Sequence, residues 1–176
     1  MTLIIVTIFC ISFITFTIVI FKRQSSDSNK YTITEQFNVT NEYLWHIITD
    51  YKAHPLWRKD LVKVEKVINV KGRDIWKETD VKGQQIEWES FAHVRNKKLV
   101  RKTISEDMSV ISTHTYELKP FGEICLLTLT EVTLANNFLL KWIKYNFSGA
   151  TSELAQLIKD LKEKVNNDIV NRTNII

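Results

Sequence analysis

Residues Phe37 to Trp57 read FNVTNEYLWHIITDYKAHPLW, and this stretch decides the fold. It begins where an alternating run ends: Tyr31, Ile33, Glu35 and Phe37 interleave with Thr32, Thr34 and Gln36, the period-two pattern of a strand. Thr40 or Asn41 then offers an N-cap, and Leu44, Trp45, Ile47 and Ile48 recur behind it at helical spacing. Pro55 bars one continuous helix through Asp50–Trp57, because proline has no N–H to donate and its ring clashes with the preceding turn. The stretch therefore predicts a strand followed by two short helical pieces.

Working downstream, extended segments rich in β-branched and aromatic residues fall near Leu61–Val70, Asp74–Thr79, Gln84–Ala92, Lys98–Ser105, Val110–Leu118 and Ile124–Leu134. Lys71-Gly72, Lys82-Gly83, Arg95-Asn96, Glu106-Asp107 and Pro120-Phe121-Gly122 separate them. Strands at about ten-residue spacing with short turns read as an antiparallel meander. The period then changes. Leu154, Leu157, Ile158, Leu161 and Val165 mark one face of an amphipathic helix, extended backwards by Leu139, Trp142, Ile143, Phe147 and Ala150 to a start near Asn136 or Asn137. Such a helix is roughly 45 Å long at 1.5 Å per residue. Gly149 in its middle is read as a kink or close approach to the sheet, with room for a ligand as the alternative.

The order is strand, two short helices, six-strand meander, long helix. Its local signature is Phe37-Asn38-Val39, Thr40-Asn41-Glu42-Tyr43-Leu44-Trp45, Ile48-Thr49-Asp50, then His54-Pro55-Leu56-Trp57 leading to Val62-Lys63-Val64-Glu65. Together these resemble the polyketide cyclase/dehydrase branch of the START-related, SRPBCC-type helix-grip superfamily, over about Tyr31 to Val165. The last hairpin departs from that pattern, reading Pro120-Phe121-Gly122-Glu123 in place of a Gly-Gly-Thr-like turn. The resemblance implies an α+β domain in which a curved antiparallel sheet of about seven strands grips the long helix around a cavity. Such cavities hold lipids, sterols, quinones, polyketides or plant-hormone-like molecules. Some members are enzymes that cyclise or dehydrate their ligand, and many are carriers, sensors or partners in complexes.

Upstream, residues 1–21 contain no Asp, Glu, Lys, Arg or His, and their polar members are only Thr2, Thr7, Ser12, Thr15 and Thr17. About 20 mostly apolar residues suffice to cross a bilayer as a helix, and Ser and Thr hydroxyls can bond back to helix carbonyls there. A cleaved signal peptide would carry Lys or Arg before the apolar run and a small-x-small site after it; neither is present. A buried core helix would show a polar face. Residues 1–21 are therefore expected to be a single transmembrane anchor, 22–30 a Ser-rich juxtamembrane linker, and 31–176 the helix-grip domain. Lys22, Arg23 and Lys30 all lie on the C-terminal side, which by the positive-inside rule places the domain in the cytoplasm. Cys10 and Cys125 cannot form a disulfide within the domain. The triplets at Asn38, Asn146 and Asn171 are read as chance matches to the glycosylation pattern in an Asn- and Thr-rich chain.

A net charge of +4 on 176 residues excludes a strongly basic nucleic-acid wrapper and an acidic disordered tail. Four Gly and two Pro exclude collagen-like or low-complexity sequence. His46, His54, His93 and His114 show no metal-ligand spacing, Cys125 has no CxxC partner, and no phosphate-cradling Gly loop, GxSxG elbow or HExxH exists. Neither metal nor cofactor is expected, and Cys125 is read as a buried structural thiol.

Alternation divides the strands into faces. In Gln84–His93 the face Ile86, Trp88, Ser90, Ala92 is expected inside, because the opposite one would bury Glu87 and Glu89. In Val110–Leu118 the face Val110, Ser112, His114, Tyr116, Leu118 combines apolar bodies with polar tips, as a pocket lining does. In the last strand, Ile124, Leu126, Thr128, Thr130 and Val132 compete with Cys125, Leu127, Leu129 and Glu131. His114 and Tyr116 are the best acid–base pair on offer, with satisfied core groups as the plainer alternative. The five Trp residues are ordinarily core or rim, and Trp57 and Trp142 are the ones expected to touch a ligand. Lys97, Lys98, Arg101 and Lys102 form a basic stripe that is either a solvated hairpin or a contact for anionic headgroups. The expected ligand-binding set is Trp57, Trp88, Ser112, His114, Tyr116 and Trp142. The function read from these residues is a membrane-anchored module for a hydrophobic small molecule. A cyclase/dehydratase using His114 and Tyr116 is one alternative, and a protein-interaction domain with a vestigial cavity is another.

Overall fold

In the computed structural model, which describes residues 29–67, 74–104, 110–135 and 150–173, the two periods become seven strands and a C-terminal helix. The elements are β1 (Asn29–Phe37), α1 (Asn41–Thr49), a 3-10 helix (Tyr51–Leu56), β2 (Leu61–Val67), β3 (Ile75–Asp80), β4 (Gln85–Val94), β5 (Lys98–Ile104), β6 (Val110–Phe121), β7 (Ile124–Ala135) and α2 (Ala150–Thr173). The expected anchor, most of the linker, Trp142, Gly149 and the expected start of the long helix lie outside the described residues. No helix of the described residues is long and apolar enough to cross a membrane.

All neighbouring strands pair antiparallel in the order β1-β7-β6-β5-β4-β3-β2, so the meander is continuous and the first strand closes onto the last. Short loops explain the pairing. Gly122 (φ 63°) occupies the first central position of the two-residue β6–β7 hairpin, where a left-handed residue matches the strand twist. Asp80 shapes the β3–β4 turn with one carboxylate oxygen, which accepts from the backbone N–H of Lys82 and of Gln84, both at 2.8 Å.

Thr40 caps α1, its hydroxyl accepting from the Tyr43 N–H at 3.3 Å. The helix ends at Thr49, and Pro55 falls inside the 3-10 helix that follows, so the break expected at this proline is a tightening of the helix. On α2, Leu154, Leu157, Ile158, Leu161 and Val165 are all buried at the three-and-four spacing. They meet Leu99, Tyr116, Leu118, Leu127 and Leu129 from the sheet, with Leu44, Trp45, Ile47 and Ile48 of α1 closing one end. This is a seven-stranded sheet gripping a long helix, as the resemblance implied. The helix continues past Val165 to Thr173, farther than the apolar pattern alone reached.

The β7 alternatives resolve in favour of Cys125, Leu127, Leu129 and Glu131, all buried. The β4 expectation needs correction. Trp88 and Ser90 face inward, but the β4–β5 register shifts between Ser90 and Ala92. This bulge leaves Phe91 74% exposed and puts His93, in place of Ala92, on the inner face opposite Leu99, where, still exposed to solvent, it stacks on Trp45 at 5.0 Å. One unpaired residue inverts the alternation beyond it.

The grip rests on a few helix residues. Leu161→Ala, at a site 1% exposed, is expected to lower unfolding free energy by about 2–5 kcal/mol in a denaturant titration. Val170→Ala, 56% exposed on the same helix, is expected to change it by less than about 0.5 kcal/mol.

Candidate functional site

The inner face of the sheet is organised by register. One cross-strand row runs Ser90, Arg101, His114, Glu131, Tyr31 from β4 to β1; the next runs His93, Leu99, Tyr116, Leu129, Ile33. A charged and hydrogen-bonding stripe thus lies beside an apolar one, beneath α2.

Arg101 is 1% exposed, and its guanidinium donates to Glu78 of β3 at 2.8 Å. The other oxygen of Glu78 accepts from Arg58 at 3.2 Å, and Arg58 also binds Asp60. The Arg101 guanidinium lies 4.5 Å from the Tyr51 ring centroid and 5.1 Å from that of Trp88, within cation–π range. The Tyr51 hydroxyl shares a 3.1 Å hydrogen bond with Ser90. Burial alone would raise the pKa of Glu78, but Arg101 and then Arg58 outweigh it and hold the carboxyl at about 2. Burial likewise works against the charge on Arg101, and Glu78 reverses it, leaving the pKa raised.

Arg101 is the principal correction to the sequence reading. It does not belong to a surface stripe with Lys97, Lys98 and Lys102 but is the most buried cation described. The signal was its phase: Arg101 is two residues from Leu99 and shares its face. Glu78 and Arg58, absent from the expected site, were not legible as partners across 20 or more residues of sequence.

His54 is 3% exposed, and its Nε2 lies 3.0 Å from the Ile48 carbonyl, so the neutral tautomer donates from Nε2 and leaves Nδ1 as an acceptor. Burial, followed by the charges of Arg101 and Arg58, lowers its pKa to about 4. His114 is also kept neutral, with burial the largest cause of its lowered pKa, although Glu131 lies 3.8 Å away and opposes the shift. Its ring sits 4.5 Å from Trp88 and 6.4 Å from Tyr116. His114 and Tyr116 therefore share a face, as expected, but the acidic neighbour of His114 is Glu131. Burial raises the pKa of the Tyr116 phenol. Ser112 bonds to Thr133 at 3.3 Å, and Thr133 donates to Glu131 at 3.0 Å, so Ser112 belongs to a buried polar chain. Cys125 is fully buried, and burial pushes its thiol up to about 11, as an inert thiol requires.

Trp57, Tyr116 and His54 meet at a void of about 10 Å³ between the sheet and α2, walled by leucines and isoleucines. Outside it, a cleft of about 450 Å³ opens between α1, the 3-10 helix and α2. No cluster of three His, Cys, Asp or Glu residues able to hold a metal exists among the described residues. Four enclosed atoms have no hydrogen-bond partner among the described residues: His54 Nδ1, Trp57 Nε1, Trp88 Nε1 and Arg101 Nε.

Neither a family model nor a curated protein sequence matches the chain. Solved structures do, at low identity. A START superfamily protein from Mycobacterium smegmatis is 16% identical with a TM-score of 0.63, over 80% of this chain and 99% of that one. Norcoclaurine synthase from Thalictrum flavum, in complex with dopamine and hydroxybenzaldehyde, is 15% identical with a TM-score of 0.63, over 81% and 89%. The Zhui aromatase/cyclase from a Streptomyces species is 12% identical with a TM-score of 0.60, over 81% and 96%. These matches share the helix-grip fold.

Two measurements test the electrostatics. Glu78→Gln leaves two buried guanidiniums short of a counter-charge and is expected to cost about 3–5 kcal/mol of stability, whereas a Glu78→Leu/Arg101→Met pair recovers most of that loss. Because His54 is neutral when folded and protonates below pH 6.5 when unfolded, stability is full above pH 6.5. It falls as pH drops towards 4, by up to roughly 3 kcal/mol. His114 adds to the same slope with the same sign. Glu78, held low, adds a further loss only as pH falls from 4.5 towards 2. His54→Gln should flatten the pH 4–6.5 limb of the stability curve; an unchanged slope would assign that limb to other groups.

Proposed function

We propose that this chain is a membrane-anchored binding module that holds an apolar small molecule, lipid-, quinone- or polyketide-like, between the inner face of the sheet and α2. The observation that carries the reading is the set of enclosed polar atoms left without partners among the described residues, on an inner surface where a polar stripe borders an apolar one. A core built only for packing satisfies nearly all its buried donors and acceptors. Here Trp88 Nε1 and Arg101 Nε are donors and His54 Nδ1 is an acceptor, each on a residue at most 6% exposed. A ligand that is apolar along its length and carries a hydrogen-bonding end meets both requirements of such a surface. The likeness to norcoclaurine synthase in complex with dopamine and hydroxybenzaldehyde supports the reading, since that fold admits small aromatic molecules.

The uncharged leader Met1–Phe21 anchors the module, and Lys22, Arg23 and Lys30 hold the domain on the cytoplasmic side. Removing residues 1–23 should move the chain from the membrane to the soluble fraction, and a C-terminal reporter should signal from the cytoplasm. A lumenal or periplasmic signal would reverse the orientation.

A reaction in the same space is the second reading, favoured by one observation: neutral His114 adjoins Glu131 at 3.8 Å, so a base and a possible proton partner sit together. Native mass spectrometry of the full chain, extracted from membranes under mild conditions, tests both readings. A retained apolar molecule is the expected result, and a domain that is always empty counts against binding. A different mass for the molecule retained by a His114→Ala/Tyr116→Phe variant would indicate chemistry; an identical mass removes the acid–base role.

A further inference from the structure

Trp57 lines three separate spaces: the interior void, the 450 Å³ cleft, and a second recess of about 250 Å³ on the other side of the 3-10 helix terminus. It is the one residue common to all three of these spaces. The indole is therefore a partition, with the buried leucines of the sheet behind it and open clefts in front. It is only partly buried, and its Nε1–H, though enclosed, has no partner among the described residues. Its described ring neighbour is His54, edge-on at 5.1 Å.

The surrounding frame is fastened where Trp57 is not. On one side, Asp160 of α2, fully buried, accepts from the Lys59 backbone N–H at 2.9 Å and from Gln156 at 2.7 Å. On the other, the Tyr43 hydroxyl donates to Asp168, which also binds Lys164 at 2.7 Å. The two aspartates are eight residues apart, about 12 Å along the helix. Trp57 sits between these two fastenings, in the gap they span. Moving α2 away from the sheet means breaking both; rotating one indole breaks no hydrogen bond among the described residues.

From this geometry we infer that the cleft between α1, the 3-10 helix and α2 is the outer vestibule of the interior site, and that Trp57 is the movable wall between them. With the indole turned aside, the volume the ring vacates joins the void of about 10 Å³ to the outer cleft of about 450 Å³, and the cleft supplies most of a space of the size of a small-molecule site, about 300–1,000 Å³. The vestibule offers Tyr43 and Ala53 as apolar surface, with His46, Asp50 and Asp168 at its polar side. The ligand class it fits is a slender apolar molecule whose polar end stays in the vestibule while its body passes the indole. The inference rests on the binding reading above and adds to it a route and a rate-controlling residue.

The test is kinetic. The full chain in lipid nanodiscs is mixed rapidly with 1-aminoanthracene, a neutral apolar fluorophore, and uptake is followed by energy transfer from protein tryptophans, with empty discs as the blank. Trp57→Ala is expected to raise the uptake rate about tenfold. Trp57→Phe, which preserves packing, should fall between. Ala53→Trp, which fills the vestibule, should slow uptake. A general loosening of the fold would speed both variants, so opposite signs identify the route. Rates insensitive to both positions in a protein that takes up the probe overturn the route alone. A wild-type protein that takes up no probe overturns the route and the binding reading together.

Discussion

The carboxylate of Glu78, held between the guanidiniums of Arg101 and Arg58, is the constraint on which the rest of the inner surface depends. It joins β3 to β5 and both to the segment between the 3-10 helix and β2. An ion group so far from water is a poor source of net stability, because desolvation offsets most of the attraction. Its consequence is positional. Arg101 cannot leave Glu78 without stranding a buried charge, so it stays over Tyr51 and beside Trp88, and Tyr51 is in turn tied to Ser90. The same positive field, after burial itself, keeps His54 neutral, and the Nε2–H bond to the Ile48 carbonyl leaves Nδ1 as the bare ring nitrogen.

Register carries that constraint across the sheet. Arg101 lies opposite His114, and His114 opposite Glu131, so one row of residues places a cation, a neutral imidazole and a carboxyl side by side. The neighbouring row, with Leu99, Tyr116, Leu129 and Ile33, meets the apolar face of α2. A slip of one residue anywhere in the meander would exchange these rows for the outer face, where Thr32 bonds Thr130 and Thr34 bonds Thr128. The bulge at Phe91 makes that exchange deliberately and only for the end of β4, bringing His93 onto Trp45.

Much of this was legible in the sequence, for physical reasons. Alternation in Tyr31–Phe37 and in Val110–Leu118 reports a half-buried strand directly, and the inner face of β6 followed from it. The spacing of Leu154, Leu157, Ile158, Leu161 and Val165 likewise reports one buried helix face. What escaped depends on pairings that alternation does not encode. Arg101 looked like one of four basic residues because Glu78 is 23 positions away and its approach is set by the one intervening strand, β4. The Phe91 bulge is a single unpaired residue with no compositional mark. Glu131 as the neighbour of His114 required the β6–β7 register. Trp57 was singled out for its aromatic bulk, whereas its role as a shared wall follows from the break at Pro55 and from where α2 crosses.

The charge balance of the interior bears on what it can recognise. Arg58 faces both Asp60 and Glu78, Arg101 faces Glu78, and His54, His114 and Tyr116 are all neutral at pH 7. Two guanidiniums are thus matched by two carboxylates within the described cluster. An anionic ligand beside that cluster would meet no spare guanidinium and would bear the cost of its own desolvation. The enclosed atoms still unmatched are directional: indole and guanidinium N–H groups that donate, and an imidazole nitrogen that accepts. Selection at such a surface works through the placement of neutral hydrogen-bonding groups along an apolar body, and each mismatch leaves a buried protein atom unsatisfied as well as the ligand's own.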